Sequence, residues 1–524
     1  MRQLSEADTS FIYLETNRNP LHIGCLLLLD DADAAQKISL QTLSQLLAGR
    51  LHLVETLRQK IVQLPLKLDN PYWADDMDFS LERHLHEVAL PSPGRFNTLM
   101  KLVSDNLSTP LQKDRPLWEV TLITGLADIA KCPEATCAVL FKVHQTMIDS
   151  ATGGELIGVL LDTTEVGKKL APIPTWTPKP PPSKVHMIGH AYGNALAVPK
   201  RWAVFAKDAA SATFYQALMH QFRKLALPAA LFNTPVAPFN QAVDNYRELD
   251  GYSCSFDKIR HLKQKASGVS TNAILMTLCS EALHRYLGTD GTELKGSLTA
   301  LTPVSVRSKR IDSPTGSQLS AMIVSLATDE PDLAKRLFRI NHVMKSSEVY
   351  SKAVAADRLT KLAPTALLGL AARTYSEFQI AQSHKPVFNL PVTNIPGPSN
   401  PFYLAGARVT ANLTSTPLFD GLGLSITILT YCDKAYISLT ACPKAVPDLD
   451  RLTTQFAPAL EALAAALENT DWHELKTHTE LTTKQNVSLW AALLDDSQAL
   501  IQKILSQWTG RDRRQKARED EAIR

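Results

Sequence analysis

Two hydrophobic periods alternate along this chain. Residues 23–29 and 138–143 are short, nearly continuous apolar runs bounded by polar residues, the pattern of buried strands. Residues 40–64 and 96–107 repeat apolar positions at helical spacing, and Pro65 marks the expected stop of the first. Further on, residues 271–287 form a strong amphipathic helical pattern, with Thr271 or Asn272 expected near its N-cap. Residues 297–306, 318–327, 424–431 and 435–441 read as strands, and 449–467 as a helix ending near Asn469. Strands and helices therefore mix in both halves of the sequence.

The clearest break is residues 171–183, where six of thirteen residues are proline. Proline fixes φ and lacks an N–H, so this stretch cannot be helix interior or central strand; it reads as an extended linker. A helical stretch is expected over 185–232, with kinks or breaks at Pro199 and Pro228. Its part from Lys200 to Lys224 mixes basic residues with Trp202, Phe205, Phe214, Tyr215 and Phe222. Such a face packs between domains, the reading favoured here, or lies on an anionic membrane. The expected organisation is an N-terminal domain over 1–185, a helical connector over 186–245, a C-terminal domain over 246–470 and a charged, partly helical extension over 471–524.

Composition narrows the class. A chain of 524 residues, 45% hydrophobic and 20% charged, is long enough for two domains and too apolar to be disordered. A net charge of +3 gives no argument for nucleic acid. The seven cysteines are odd in number and irregular in spacing; Cys132 and Cys137 lack the partners that would complete a zinc site, so no metal is expected and reduced thiols are. No signal core opens the chain, and no uncharged apolar run reaches the ~20 residues of a spanning helix. The expected location is cytoplasmic, with peripheral contact at the inner face of the cytoplasmic membrane as an open alternative.

The candidate chemistry lies in Phe141-Lys-Val-His-Gln-Thr-Met-Ile-Asp-Ser150, where a strand-like run ends at His144 and a polar turn follows. Taken alone, His144 reads as a hydrogen-bonded structural histidine. The Asp420-Gly-Leu-Gly-Leu424 segment lacks the lysine and helix start of a phosphate loop, so its glycines read as points of close backbone approach. His284 and Arg285 fall on the expected solvent face of their helix.

The segment at 144–150 resembles the HHxxxDG motif of the acyl-CoA-dependent superfamily. Other blocks follow in order: Leu4-Ser5 with Asp8 and Phe11, Pro20-Leu-His-Ile-Gly24, Pro71-Tyr-Trp73, Arg115-Pro-Leu-Trp-Glu119, Pro303-Val-Ser-Val-Arg307, Asn394-Ile-Pro-Gly-Pro398 and Leu404-Ala-Gly-Ala-Arg408. Together they resemble the bacterial wax ester synthase/diacylglycerol acyltransferase family over roughly residues 4–465. The resemblance implies an α/β fold of two chloramphenicol acetyltransferase-like domains, each a mixed sheet packed with helices, with a tunnel between them. It also implies long-chain acyl-CoA as a substrate, with no cofactor, and a diacylglycerol or fatty alcohol as acceptor. In that family the second motif histidine takes the proton of the acceptor hydroxyl. The motif aspartate, here Asp149, is implied to support the loop by pairing with Arg307. Pro116, Trp118, Glu119, Asn272 and Asn394 stand at supporting positions, with Trp118 expected as an aromatic anchor and Glu119 as a turn-fixing carboxylate.

At the second motif histidine this chain carries Gln145, at the motif glycine Ser150, and after Asn272 an alanine, Ala273, where the family has aspartate. A carboxamide does not accept a proton near neutral pH. Adjacent residues of an extended segment point to opposite faces, so His144 is not expected to replace it directly. Two expectations follow: an O-acyltransferase for triacylglycerol or wax ester synthesis, weak through loss of its base, or a paralogue that binds acyl-CoA or neutral lipid, at a membrane or lipid-droplet surface, without turnover.

Overall fold

The computed structural model describes residues 2–34, 36–63, 69–127, 129, 132–148, 158–167, 176–181, 183, 185, 187–189, 234–289, 291, 296–305, 319–353 and 386–472. In the first half lie β1 (Arg2–Gln3), α1 (Glu6–Leu14), β2 (His22–Asp30), α2 (Leu40–Arg50), β3 (Gln59–Val62), β4 (Tyr72–Asp75), β5 (Leu85–Ala89), α3 (Phe96–Ser108), β6 (Trp118–Thr124) and β7 (Cys137–His144). The second half carries β8 (Glu248–Ser255), α4 (Phe256–Lys265), α5 (Thr271–Thr289), β9 (Thr299–Ser305), β10 (Leu319–Ser325) and α6 (Leu333–Ala353). It continues with β11 (Leu390–Pro396), β12 (Tyr403–Leu404), β13 (Ala407–Ser415), β14 (Leu424–Tyr431), β15 (Lys434–Ala441), α7 (Leu449–Thr454) and α8 (Phe456–Glu468).

These strands build two six-stranded sheets, in the orders β12-β13-β2-β7-β6-β5 and β10-β9-β11-β14-β15-β8, and a three-stranded sheet β1-β4-β3. Both large sheets are mixed: β5 runs parallel to β6, and β11 parallel to β9 and β14, among otherwise antiparallel pairs. The near-continuous apolar runs of β2 and β7 place them at the centre of the first sheet, covered on both faces. Gly24 of β2 is needed there, because a Cβ would lie 2.5 Å from a methyl of Leu107, and its absence lets α3 lie close on the sheet.

Pairing crosses the division read from sequence. Strand β13, from the second half, runs antiparallel to β2 from Arg408 opposite Asp30 to Ser415 opposite Gly24. Its Val409, Ala411 and Leu413 are buried in the first hydrophobic core, while the second core gathers around β14, β15 and α5. The two halves thus share a sheet.

Two elements differ from the sequence reading. The helix expected over 40–64 stops at Arg50, passes through 3-10 turns at Leu51–Leu53 and Glu55–Arg58 and becomes β3. Buried Arg50 ends it by reaching Asp162 at 2.6 Å and the Val159 and Leu160 carbonyls, while Ile61 and Val62 pair with Trp73 and Tyr72. The helix expected over 449–467 breaks at Gln455 into α7 and α8. Pro458 accounts for the break: inside a continuous helix its ring would clash with the carbonyl four residues back, but it is tolerated in a first turn.

Of the proline-rich linker, residues 176–181 and 183 are described. Trp176 packs edge-on to Phe79 and under the Arg58 guanidinium, and Lys179 N donates to Asp75, so this stretch lies along the first half. The basic, aromatic stretch 200–224 and the expected tail helix lie outside the described residues.

Candidate active site

The site is built at the end of β7. Its residues alternate, so Lys142 and His144 share one face, the face that α3 and α1 cover. Lys142 is 2% exposed, and its ammonium donates to the carbonyls of Asn106 and Thr109, both at 3.0 Å, and pairs with Glu119 at 3.2 Å. His22, opposite His144 on β2, donates from Nε2 to the Leu107 carbonyl at 2.7 Å. These three carbonyls belong to the C-terminal turn and C-cap of α3, where acceptors run short of helix partners, although Asn106 also takes the Thr109 N–H, and where the dipole favours cations. Burial, reinforced by Lys142, pushes His22 down to about 3, so it acts as a neutral donor.

His144 is 1% exposed. Its Nδ1 accepts the Thr146 N–H at 3.2 Å and lies 2.8 Å from the Thr146 hydroxyl. That cap folds residues Gln145–Met147 into a 3-10 turn. With Nδ1 an acceptor, the ring proton sits on Nε2, which faces Glu15 Oε1 at 3.6 Å, beyond hydrogen-bonding distance. Burial is the main influence that lowers His144 to about 4; Glu15 opposes it and Lys113 adds to it. Glu15, the C-cap residue of α1, is itself buried, accepts the Leu21 N–H at 3.3 Å and pairs with Lys113 at 2.5 Å.

Gln145 follows the last residue of β7 and opens the 3-10 turn. Its N–H donates to the Leu21 carbonyl at 2.9 Å, and its side chain is partly exposed while those of its neighbours His144 and Thr146 are buried. The opposite-face argument from sequence assumed an extended segment; the chain instead enters a 3-10 turn at Gln145, and the two side chains differ in burial.

The Pro116–Glu119 block supports the same turn. The Leu117 carbonyl accepts the His144 N–H at 2.9 Å, and the Trp118 carbonyl takes a 2.7 Å bond from His84 Nδ1. The Trp118 ring stacks on His84 at 4.4 Å and its indole N–H bonds the Leu57 carbonyl, an aromatic anchor as expected. Glu119 does not fix a turn; it lies across the strand pair from Lys142 and neutralises it.

In the second sheet Asn394 donates to Asn272 at 3.1 Å, joining β11 to the first turn of α5. That helix is capped by Ser270, which accepts the Ala273 N–H, rather than by Thr271 or Asn272. Ala273 is fully buried in the second core, so a methyl fills the position of the family carboxylate. The Gly421–Gly423 turn serves close approach: a Cβ at Gly423 would lie 2.4 Å from that of Ala445, and both glycine N–H groups donate to carbonyls of the 239–241 segment. His284 is exposed and Arg285 bonds Glu281, as expected for an outer helix face. Asp149, Ser150 and Arg307 lie outside the described residues.

A cleft of about 870 Å³ opens between α3, β8 and α7, lined among others by Met100, Ser104, Leu249, Tyr252 and Leu449; no motif residue lines it. Cys132 and Cys137 are free thiols raised by burial, and among the described residues no cluster of histidine, cysteine or carboxylate is arranged to hold a metal. No described helix is long and apolar enough to cross a membrane.

Sequence reasoning missed Glu15, Lys113, Lys142 and Thr146. A lysine inside the apolar run 138–143 was a usable signal of buried charge; nothing in the spacing marks Glu15.

The chain matches known proteins along most of its length. The wax ester synthase/diacylglycerol acyltransferase catalytic domain matches residues 4–275, and the C-terminal domain of the same family matches 315–464. A putative diacylglycerol O-acyltransferase of Mycobacterium tuberculosis is 28% identical over 485 residues, covering 88% of this chain and 90% of its own. The O-acyltransferase WSD of Acinetobacter baylyi is 27% identical over 474 residues, covering 88% and 96%. The solved wax ester synthase/diacylglycerol acyltransferase of Marinobacter aquaeolei VT8 shares the fold at a TM-score of 0.61 and 23% identity, over 89% of this chain and all of that one. With both family domains matched in order and the motif segment ending the central strand of the first sheet, the chain belongs to the wax ester synthase/diacylglycerol acyltransferase family.

Proposed function

We propose that this chain is an O-acyltransferase that moves a long-chain acyl group from acyl-CoA to the hydroxyl of a diacylglycerol or long-chain alcohol, slowed by the amide at position 145. The observation that carries the reading is the supported motif turn itself. His144 caps it, Leu117 and Leu21 hold its backbone, and Gln145 is the residue that the motif resemblance aligns with the family base.

In the reaction the acceptor oxygen attacks the thioester carbon, the C–S bond breaks and CoA leaves as its thiol. Acyl-CoA is a substrate here, not a resident cofactor. The Gln145 amide has hydrogen-bonding capacity for the acceptor hydroxyl or the thioester carbonyl, which supplies orientation. It takes no proton, and an alcohol lacking a base is a poor nucleophile; general bases contribute ~10²- to 10⁴-fold. Both acceptors partition into lipid, so the proposal includes a cytoplasmic enzyme working peripherally at a membrane or lipid-droplet surface. Flotation with anionic vesicles, with and without salt, tests that part.

The activity test follows release of CoA and formation of ester from palmitoyl-CoA with hexadecanol or a diacylglycerol. Slow, acceptor-dependent ester formation by the wild type is the expected outcome. No ester with any long-chain acceptor, from wild type or from Gln145→His, would favour the non-catalytic lipid-binding reading.

A further inference from the structure

The loop between α1 and β2, residues 15–21, bonds directly to the motif turn. The Leu21 carbonyl accepts the Gln145 N–H at 2.9 Å, and Glu15 Oε1 accepts the Leu21 N–H at 3.3 Å. Thr16 and Asn19 close the loop on itself through two backbone hydrogen bonds, at 3.0 and 3.3 Å. The loop is therefore a stiff piece, and whatever holds its far side also bears on position 145.

That far side is held from the second half of the chain. Arg247, just before β8, is 3% exposed. Its Nη2 donates to the Arg18 carbonyl and to Asn19 Oδ1, both at 3.2 Å; its Nη1 donates to the Tyr246 carbonyl at 2.9 Å and to that of Asp244. Its backbone N–H donates to Ser108 Oγ at 2.9 Å, and the Leu249 N–H to Ser104 Oγ at 3.1 Å, so two serines of α3 fix the backbone from which the guanidinium reaches. Arg18 adds a longer tie, to Asp420 of the second half at 3.8 Å. The four side-chain acceptors of Arg247 are all amide oxygens, which orient a guanidinium without neutralising it. Burial lowers Arg247 to about 10, so it stays charged near neutral pH. A buried cation answered only by amide oxygens is a costly way to join two segments. What arginine supplies there, and an apolar side chain does not, is a rigid planar fork that fixes direction as well as distance.

We propose that Arg247 is a positioning residue for the motif turn: from the second half it fixes the α1–β2 loop, and the loop, through the Leu21 carbonyl, fixes the backbone at position 145. The path runs from the Arg247 guanidinium to Arg18 and Asn19, along the loop to the Leu21 carbonyl, and across to the Gln145 N–H. It needs no proton transfer and no contact between Arg247 and substrate. Its consequence for turnover rests on the acyl-transfer reading above. Misplacing a reacting group by about 1 Å costs up to ~10²-fold in rate.

The test uses the full chain and two variants that cut the path. Arg247→Met removes the guanidinium at similar length; Asn19→Ala removes one acceptor and is the milder change should methionine prevent folding. The first readout is amide hydrogen exchange, followed by mass spectrometry. Exchange should quicken in peptides covering 15–22 and 144–147, while peptides of the second sheet, 424–441, keep wild-type rates. The second readout is ester formation from palmitoyl-CoA and hexadecanol in a Gln145→His background, where turnover is easier to measure. Arg247→Met should lower kcat by about 10- to 10²-fold with KM for palmitoyl-CoA unchanged. Arg247→Lys, which keeps the charge but not the fork, should recover only part of that rate. Adding Asn19→Ala to Arg247→Met should cost nothing further, since both cut the same tie. Unchanged exchange at 144–147 in the folded variants overturns the proposal. So does a rise spread evenly over both sheets, which would mark Arg247 as a general stabiliser. A raised KM with unchanged kcat would place Arg247 in substrate binding and overturns it as well. If Gln145→His forms no ester, the acyl-transfer reading fails, and the exchange result alone decides whether Arg247 holds the turn.

Discussion

The two halves bury charge in different ways. In the second, Glu281 of α5 meets Arg336 of α6 at 2.6 Å, Arg285 takes the other carboxylate oxygen at 2.7 Å, and Arg336 also donates to the Glu330 carbonyl. Each group is answered, and the set staples two helices. In the first half Glu15, His22, Lys142 and His144 crowd one end of the sheet. There, among the described residues, His22 Nδ1 and His144 Nε2 are buried without a hydrogen-bond partner. A closed set does one thing, which is to hold. An open set retains unmet polar atoms, which are costly to bury and are found where chemistry is done.

That contrast can be broken experimentally. The largest expected effect is at the staple: Arg336→Ala leaves Glu281 buried with only a half-exposed arginine, and removing one partner of such a pair costs ~3–5 kcal/mol. Chemical denaturation should show that loss, while turnover per folded molecule stays unchanged. Lys142→Met should cost less, about 2–3 kcal/mol, because it strands Glu119 and the last carbonyls of α3; unlike the staple variant, it should also lower kcat, since the motif turn sits on the same strand.

A pH titration sharpens the comparison. His22 and His144 are lowered to about 3 and about 4 from an unfolded value near 6.5. Above 6.5 both are neutral in either state. As pH falls below it, the unfolded chain binds protons that the folded chain refuses, so stability drops until the folded values are reached. The expected slope is about 1.4 kcal/mol per pH unit for each group between pH 6.5 and the folded values. His22→Gln should remove its share and leave about half the slope to His144; a melting temperature level from pH 7 to 4.5 would contradict the assignment. The smallest effect is expected at Arg408, half exposed, where loss of its contacts with Glu134 and Asp30 should cost under ~1 kcal/mol and fade with salt.

Much of this was readable from sequence where periodicity is strong. Strand Leu424–Tyr431 was located to the residue, and the expected strands and helices around 23–29, 96–107, 138–143 and 271–287 lie within a few positions of those observed. Elements set by tertiary contact were not. Strand β13 does alternate from Ala407 to Leu413, but its pairing with β2 of the first half is not written in that pattern, and the end of α2 depends on Asp162, more than a hundred residues away. At the site, the block Pro116–Glu119 and the turn at 144–147 were legible as motifs. The carboxylate behind His144 was not, since Glu15 reaches it only through the fold.

The motif turn carries an amide, Gln145, at the position where the family resemblance has a base. The direct measurement is ester formation from palmitoyl-CoA and hexadecanol by wild type and Gln145→His side by side. The wild type should turn over slowly and the variant about 10²-fold faster or more, the contribution of a general base. Ser150 and Ala273 should hold that gain below a full recovery, so adding Ser150→Gly should raise it further. A wild type that already turns over as fast as Gln145→His would contradict the claim.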